Sequence, residues 1–490
     1  MAENQVEKSI RAPGIIERYY IARSHLGYYN NVGVTATYTI PPALLSTALR
    51  AADCSSAVAN LTYQVLAQLI AQHPSLGISV LGAGTQTPTW NRLESLDLPS
   101  LVTFAEPDAS VKEYLIKLFN TPVDGDGGTT ALWRVLVVPS PPKPANGTLD
   151  SPAPFHLTIG FFYHHAIGDG LSGAAVQTCI HRALQAALRE PSSNPPTTVQ
   201  PSTADLPPSF ETAVPLSITA GGFLRTLYGT VFPNRDVWSG APITFSKPVV
   251  TKLRQFSLSA AQSAALVARC RRHEASVTAL LMVVIAEVVA GKTKGAKGID
   301  GNAAMSLRKF AVGVGAEDMG TYISAMSCFF FRSSPKGKGR LGEGVEWEEV
   351  KRVKELLVKG AGSTKNQFSA YLKLIPNVVK FLEGKPGQSR ERSFEISNLG
   401  VVDFSKGEVE GAQERVGCDK VVFGQSANVT GAAYSFSIAT AKGGELTVLL
   451  SWQKGVVEGR IADAVMTELE RWLTAEASKH GATNGATNGA

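Results

Sequence analysis

An apolar run, Phe155–Tyr163, breaks off at His164-His165-Ala166-Ile167-Gly168-Asp169-Gly170 and gives way to residues 171–190, whose apolar positions recur at helical spacing. Leu171, Ala175, Cys179, Ala183 and Ala187 share one stripe, and Pro191 stops the pattern. A strand that passes into a helix needs a neighbouring strand and a covering layer. Leu132-Trp133-Arg134-Val135-Leu136-Val137-Val138 supplies the neighbour. The two runs are joined by a loop rich in Pro, Gly and Ser, which predicts antiparallel pairing.

Similar alternation fills the rest of the chain. Val32-Gly33-Val34-Thr35-Ala36-Thr37-Tyr38-Thr39-Ile40 reads as a strand ended by Pro41-Pro42, and residues 44–70 read as helical with a break near Asp53. In the second half a helix over 259–272 precedes a buried helix from Ser276. A strand ending Ala304-Met305-Ser306-Leu307-Arg308, a strand over 327–332 and a charged helix from near Val345 follow. Residues 435–440 and 446–452 flank Lys442-Gly443-Gly444 as a hairpin, and a final helix aligns Ile461, Val465, Leu469 and Leu473. A chain of 490 residues, 44% hydrophobic, has material for more than one core. The expected class is α/β with two subdomains, 1–190 and 216–478. Residues 191–215, dominated by Pro, Ser and Thr, read as a linker or a long surface loop, and the small-residue tail 479–490 as disordered.

Several function classes drop out. The N-terminus lacks the apolar core of a secretory signal. Residues 277–290 are too short to span a bilayer comfortably and contain Glu287. Five cysteines, odd in number and never spaced CxxC, indicate neither a disulfide framework nor a zinc site. The sequons at Asn60, Asn146 and Asn428 read as chance without that signal. A net charge of +6 suits an anionic small ligand. The basic segments Lys292-Thr293-Lys294-Gly295-Ala296-Lys297 and Lys336-Gly337-Lys338-Gly339-Arg340 carry no interleaved aromatics and read as solvated loops. The expectation is a cytoplasmic monomer with neither a nucleic-acid partner nor a membrane span.

The histidine pair admits three readings. Neighbouring residues on a strand point to opposite sides, so His164 and His165 do not share a task. One of them can act as a general base, since an unperturbed imidazole titrates near ~6.5. Metal binding by His164, His165 and Asp169 is disfavoured by the strand geometry and by the lack of a further ligand on a nearby helix. Both can also be core histidines. No Gly-x-Ser-x-Gly elbow signals a serine nucleophile.

His-His-x-x-x-Asp-Gly resembles the signature of the chloramphenicol acetyltransferase-like superfamily, which includes plant BAHD acyltransferases, peptide-synthetase condensation domains and fungal alcohol O-acetyltransferases. Glu17-Arg18-Tyr19, Leu26-Gly27-Tyr28, Val34-x-Ala36-x-Tyr38, Ser306-Leu307-Arg308 and Ile396-Ser397-Asn398-Leu399-Gly400 resemble landmarks of the last group. Val402-Asp403-Phe404-Ser405-Lys406-Gly407 departs from the Asp-Phe-Gly-Trp-Gly of the plant enzymes. The resemblance implies two chloramphenicol acetyltransferase-like subdomains with a tunnel between them. It implies an acyl-CoA-dependent O-acyltransferase, acetyl-CoA serving as co-substrate with no permanently bound cofactor or metal, acting on a small-molecule alcohol of secondary metabolism. His165 would be the general base, with Asp169 structural and paired to Arg308. Asn398 would stabilise the oxyanion, and Ser397 and Gly170 would line the substrate site. Two alternatives stand beside it: a condensation-type enzyme with a carrier-bound donor or an amine acceptor, and a non-catalytic binding protein.

Overall fold

The computed structural model describes residues 10–51, 53–142, 153–231, 237–293, 295, 297–331, 345–405 and 414–479. The Asn146 sequon, Lys294 and Ala296 of one basic segment, all of the other (336–340), Lys406-Gly407 and the tail from residue 480 lie outside the described residues.

The first sheet has the order Gly417–Gln425, Val32–Ile40, Phe155–Tyr163, Trp133–Ser140, Val102–Phe104. Phe155–Tyr163 is its centre, antiparallel to both neighbours, with Tyr163 opposite Val32 on one side and Trp133 on the other. Only His156 of this strand is exposed, which explains why its sequence is mostly apolar and does not alternate strictly. The helices Ser55–Gln72 and Gly170–Arg189 build one core with this sheet. On its other face Leu136, Val138 and Phe162 pack with Phe119, and with Leu253 and Leu449 from the second sheet.

That second sheet has the order Thr251–Leu258, Leu446–Gln453, Tyr434–Ala441, Phe394–Val402, Gly298–Ser306, Ile323–Phe331. The expected hairpin forms, antiparallel, and turns through Gly443 at φ +74°, a conformation that glycine adopts without strain. Helices Ala260–Arg272, Val277–Lys292, Trp347–Ala361 and Gly459–Ser478 complete its core. Among the described residues no single helix is long and apolar enough to cross a membrane. The apolar side chains of Val277–Lys292 are core.

Two features differ from the sequence reading, and one refines it. The strand placed at 327–332 is Ile323–Phe331, so it begins earlier. Residues 191–215 do not hang free. Thr198–Val199 pairs with Leu96–Asp97, Arg92 donates to the carbonyls of Ser202 and Ala204, and Phe210, Ala213 and Val214 are buried in the first core. A few apolar anchors among prolines suffice to pin such a segment, and composition hides them. Most consequential is Gly417–Gln425, which leaves the second half of the chain to pair with Val32–Ile40 in the first sheet. Leu307, Met319 and Tyr322 also belong to the first core. A boundary at 190–216 is therefore crossed repeatedly by the chain. Pairing partners are set by the whole topology, and no local pattern reports them.

Candidate active site

The loop after Tyr163 is built to hold two histidines differently. His164 is 3% exposed, and its Nδ1 accepts the Ala166 N–H at 3.0 Å. A ring nitrogen that accepts carries no proton, so His164 is a neutral brace for the turn. Burial first, and then the charges of His165 and Arg23, push its pKa down to about 3. His165 points elsewhere. Its ring stacks on Tyr20 at 3.8 Å between centroids and 6° between planes, and Tyr29 lies 5.8 Å away. The His165 carbonyl accepts from Thr321 Oγ1 at 2.9 Å, so the backbone is fixed, while the side chain's Nδ1 is buried without a partner. Burial, and after it the positive Arg23, lower the His165 pKa to about 4.

Asp169 is fully buried and caps the helix Gly170–Arg189. Its carboxylate accepts from Ser172 N at 2.9 Å, Ser172 Oγ at 3.1 Å, Tyr322 N at 3.1 Å and Arg308 Nη2 at 3.2 Å. Arg308 also donates to Asp318 O at 2.9 Å, Ser172 Oγ at 2.8 Å and Gly320 O at 3.0 Å, and lies 5.0 Å over the Tyr322 ring. The structure thus brings Asp169 and Arg308 together, behind the loop rather than against His165. Gly168 is required by crowding: a Cβ there would stand 2.7 Å from that of Ser172. At Gly170 the vacated space is filled by Leu399 and Phe423, which a Cβ would meet at 2.6 and 3.0 Å.

Asn398 is engaged elsewhere. Its amide donates to Thr278 Oγ1 at 3.0 Å and its carbonyl accepts the Gly400 N–H at 2.8 Å, pinning a bulge where the pairing with Tyr434–Ala441 shifts register. Ser397 sits half-buried opposite Ser437 on the same strand. The contacts of both residues lie within their own sheet and with Thr278 rather than with His165. The residues that do flank it, Tyr20, Tyr29 and Thr321, were missed in the sequence. So was Ser172, although its place three residues after a capping Asp is a readable signal. Among the described residues no group of His, Cys, Asp and Glu is arranged to hold a metal. A cavity of about 340 Å³ follows the neighbouring face of helix Ile15–His25, lined by Ile15, Arg18 and Ala22 with Leu372, Asn377 and Val379; His165 is not part of its wall.

Two sheets with their covering helices, and a His-His-x-x-x-Asp-Gly loop that leaves the central strand of the first, make up the chloramphenicol acetyltransferase-like fold. Trichothecene 15-O-acetyltransferase TRI3 of Fusarium sporotrichioides shares the fold at a TM-score of 0.71 and 10% identity, over 95% of each chain. The first condensation domain of the calcium-dependent antibiotic synthetase does so at 0.57 and 13%, over 96% of this chain and 97% of that one. The family model for alcohol acetyltransferases matches residues 12–471. A probable alcohol acetyltransferase of Aspergillus fumigatus, crmB, is 28% identical over 473 residues, 91% of this chain and 95% of that protein. FCK4 of Fusarium pseudograminearum, also a probable alcohol acetyltransferase, is 25% identical over 489 residues, 95% and 94% of the two chains. The chain belongs to the alcohol acetyltransferase family.

Proposed function

We propose that this enzyme transfers the acetyl group of acetyl-CoA to a hydroxyl of a small secondary metabolite, in one step, with His165 as general base. The observation that carries this reading is the contrast within the histidine pair. His164 spends its Nδ1 on the loop, whereas the His165 ring stacks on Tyr20 above a fixed backbone and its Nδ1 has no partner. With Nδ1 enclosed, Nε2 takes the proton of the alcohol as its oxygen attacks the thioester carbonyl. Asp169 and Arg308 hold the loop that presents the ring. Donor and acceptor approach from opposite ends of a tunnel between the two halves. Incubation with acetyl-CoA and a panel of hydroxylated metabolites, read by mass spectrometry, tests the reading; the absence of any acetylated product would refute it.

Condensation domains share the fold, so a carrier-bound donor is the second reading. A thermal-shift comparison separates the two: stabilisation by acetyl-CoA favours the first, stabilisation only by an acyl-carrier protein the second.

Direct transfer makes a kinetic prediction. Cys179, the nearest thiol in sequence, is 2% exposed, and burial pushes its pKa up to about 12, so it stays a protonated, unreactive thiol. Double-reciprocal plots are expected to intersect, as for a ternary complex. A gain of one acetyl mass on enzyme incubated with acetyl-CoA alone would instead reveal a covalent intermediate.

The pH profile follows from the low pKa of His165. A base works when neutral, and an imidazole titrating at about 4 is neutral throughout the physiological range. The acid limb of kcat/KM is therefore expected nearer pH 4 than the ordinary ~6.5. Stability falls on the acid side as well, but from a higher pH. Unfolding exposes His164 and His165, whose pKa values then rise to the ordinary value, so the unfolded chain binds more protons below about pH 6.5. Their contribution destabilises the fold progressively down to about pH 4 and then 3. An acid limb at 6.5 would mean that the working base is solvent-exposed.

A further inference from the structure

Arg23 is an anomaly. It sits on helix Ile15–His25, is 5% exposed, and its Nε and Nη2 are buried with no hydrogen-bond partner among the described residues. Three rings enclose its guanidinium: Tyr29 at 4.4 Å, Tyr20 at 5.2 Å and Tyr19 at 5.4 Å from Cζ to centroid. Aromatic faces offset part of the cost of burying a cation, and so explain how it is tolerated. They leave the N–H groups of Nε and Nη2 unused, and a buried donor without an acceptor is unfavourable.

The neighbours do not remove the anomaly. Glu395 is the carboxylate whose field reaches Arg23, but it accepts from Ser435 Oγ at 2.6 Å and forms no ion pair with the guanidinium. Arg308 is already bonded to Asp169, Ser172, Asp318 and Gly320. Asn398, whose motif suggested an oxyanion donor, is bonded to Thr278 and Gly400.

Arg23 is also close to the histidine. Tyr20 lies 3.8 Å from the His165 ring and 5.2 Å from the Arg23 Cζ, so the two groups stand no farther apart than those distances laid end to end. Tyr29 borders both as well. A positive charge beside a base opposes the protonation that the base must undergo. That arrangement becomes productive when an anion forms within reach of both at the moment of proton transfer.

We propose that Arg23 is a catalytic residue whose guanidinium N–H groups bind the thioester carbonyl oxygen and stabilise the negative charge that develops on it. The proposal rests on the acetyl-transfer reading above. The alcohol proton passes to His165 as the new O–C bond forms, and the carbonyl π pair moves onto the oxygen held by Arg23. The pair then returns to restore C=O, the C–S bond breaks, and the thiolate takes the proton from the His165 imidazolium. Each proton and electron pair is accounted for within the enzyme, the alcohol and the thioester.

Arg23→Met tests this, because methionine fills the aromatic cage with an apolar chain of comparable length. Removing an unpartnered buried cation is expected to leave Tm unchanged or raised, whereas kcat falls by about 10²–10³-fold with KM values within a few-fold. The acid limb of kcat/KM is expected to move up in pH, since a positive neighbour of His165 is gone. Arg23→Lys, which keeps a charge but not the fork, should recover part of kcat and keep the limb low. A kcat for Arg23→Met within threefold of wild type overturns the proposal. So does a fall in Tm, or failure to fold, which would make Arg23 a structural cation. A defect confined to KM for acidic acceptors also overturns it, by making Arg23 a carboxylate anchor. Wild-type turnover, measured first with the same acceptor, keeps any failure here distinct from failure of the acetyl-transfer reading.

Discussion

Replacing His165 with alanine is expected to slow acetyl transfer by about 10²–10⁴-fold in a chain that remains folded. The structure separates the two effects cleanly. His165 is half-buried and its Nδ1 has no partner, so its loss removes the base and the stacking contact with Tyr20 while the buried core stays in place. His164→Ala should show the reverse. It deletes a buried ring and leaves the Ala166 N–H without its acceptor, lowering stability more than turnover. The check is kcat with the acceptor found by the metabolite panel, alongside a urea melt of each variant. A folded His165→Ala enzyme with wild-type kcat would end the general-base mechanism.

The largest stability loss should come from separating Asp169 and Arg308. Removing one partner of a buried ion pair typically costs about 3–5 kcal/mol, because the other charge is stranded. The two losses are expected to be unequal. Arg308 keeps no other carboxylate but has the carbonyls of Asp318 and Gly320, whereas Asp169→Ala also strips the acceptor from Ser172 N, the helix cap, and from Tyr322 N. Asp169→Ala should therefore be the more damaging single change. The Asp169→Ala/Arg308→Met double variant should cost clearly less than the sum of the two singles. Strict additivity in denaturant melts would show that the pair is not coupled in solution.

How much of this was legible beforehand depends on how local each signal is. The strand Phe155–Tyr163, the helix after it and the closing hairpin were readable, because apolar periodicity and turn glycines are written in adjacent residues. The partnership of Asp169 with Arg308 was not; it came from resemblance, since nothing near either residue names the other. The aromatic wall around His165 was invisible for the same reason. Tyr20 and Tyr29 flank a histidine far along the chain, and tyrosines in an N-terminal helix and turn look like ordinary core. Asn398 shows the opposite hazard: a polar residue in a motif segment proved to be holding a backbone irregularity.

The strand Gly417–Gln425 makes the two halves inseparable in a sense that the motif does not convey. A fragment that ended before it would leave the Val32–Ile40 edge with a bare row of amide and carbonyl groups, open to pairing with a second copy. It would also uncover the apolar side chains that Val421 and Phe423 shield. During synthesis, then, the sheet that bears His165 must wait for nearly the whole polypeptide before its edge can close. Exchange is constrained in the same way: neither half can be replaced by another without replacing this strand as well.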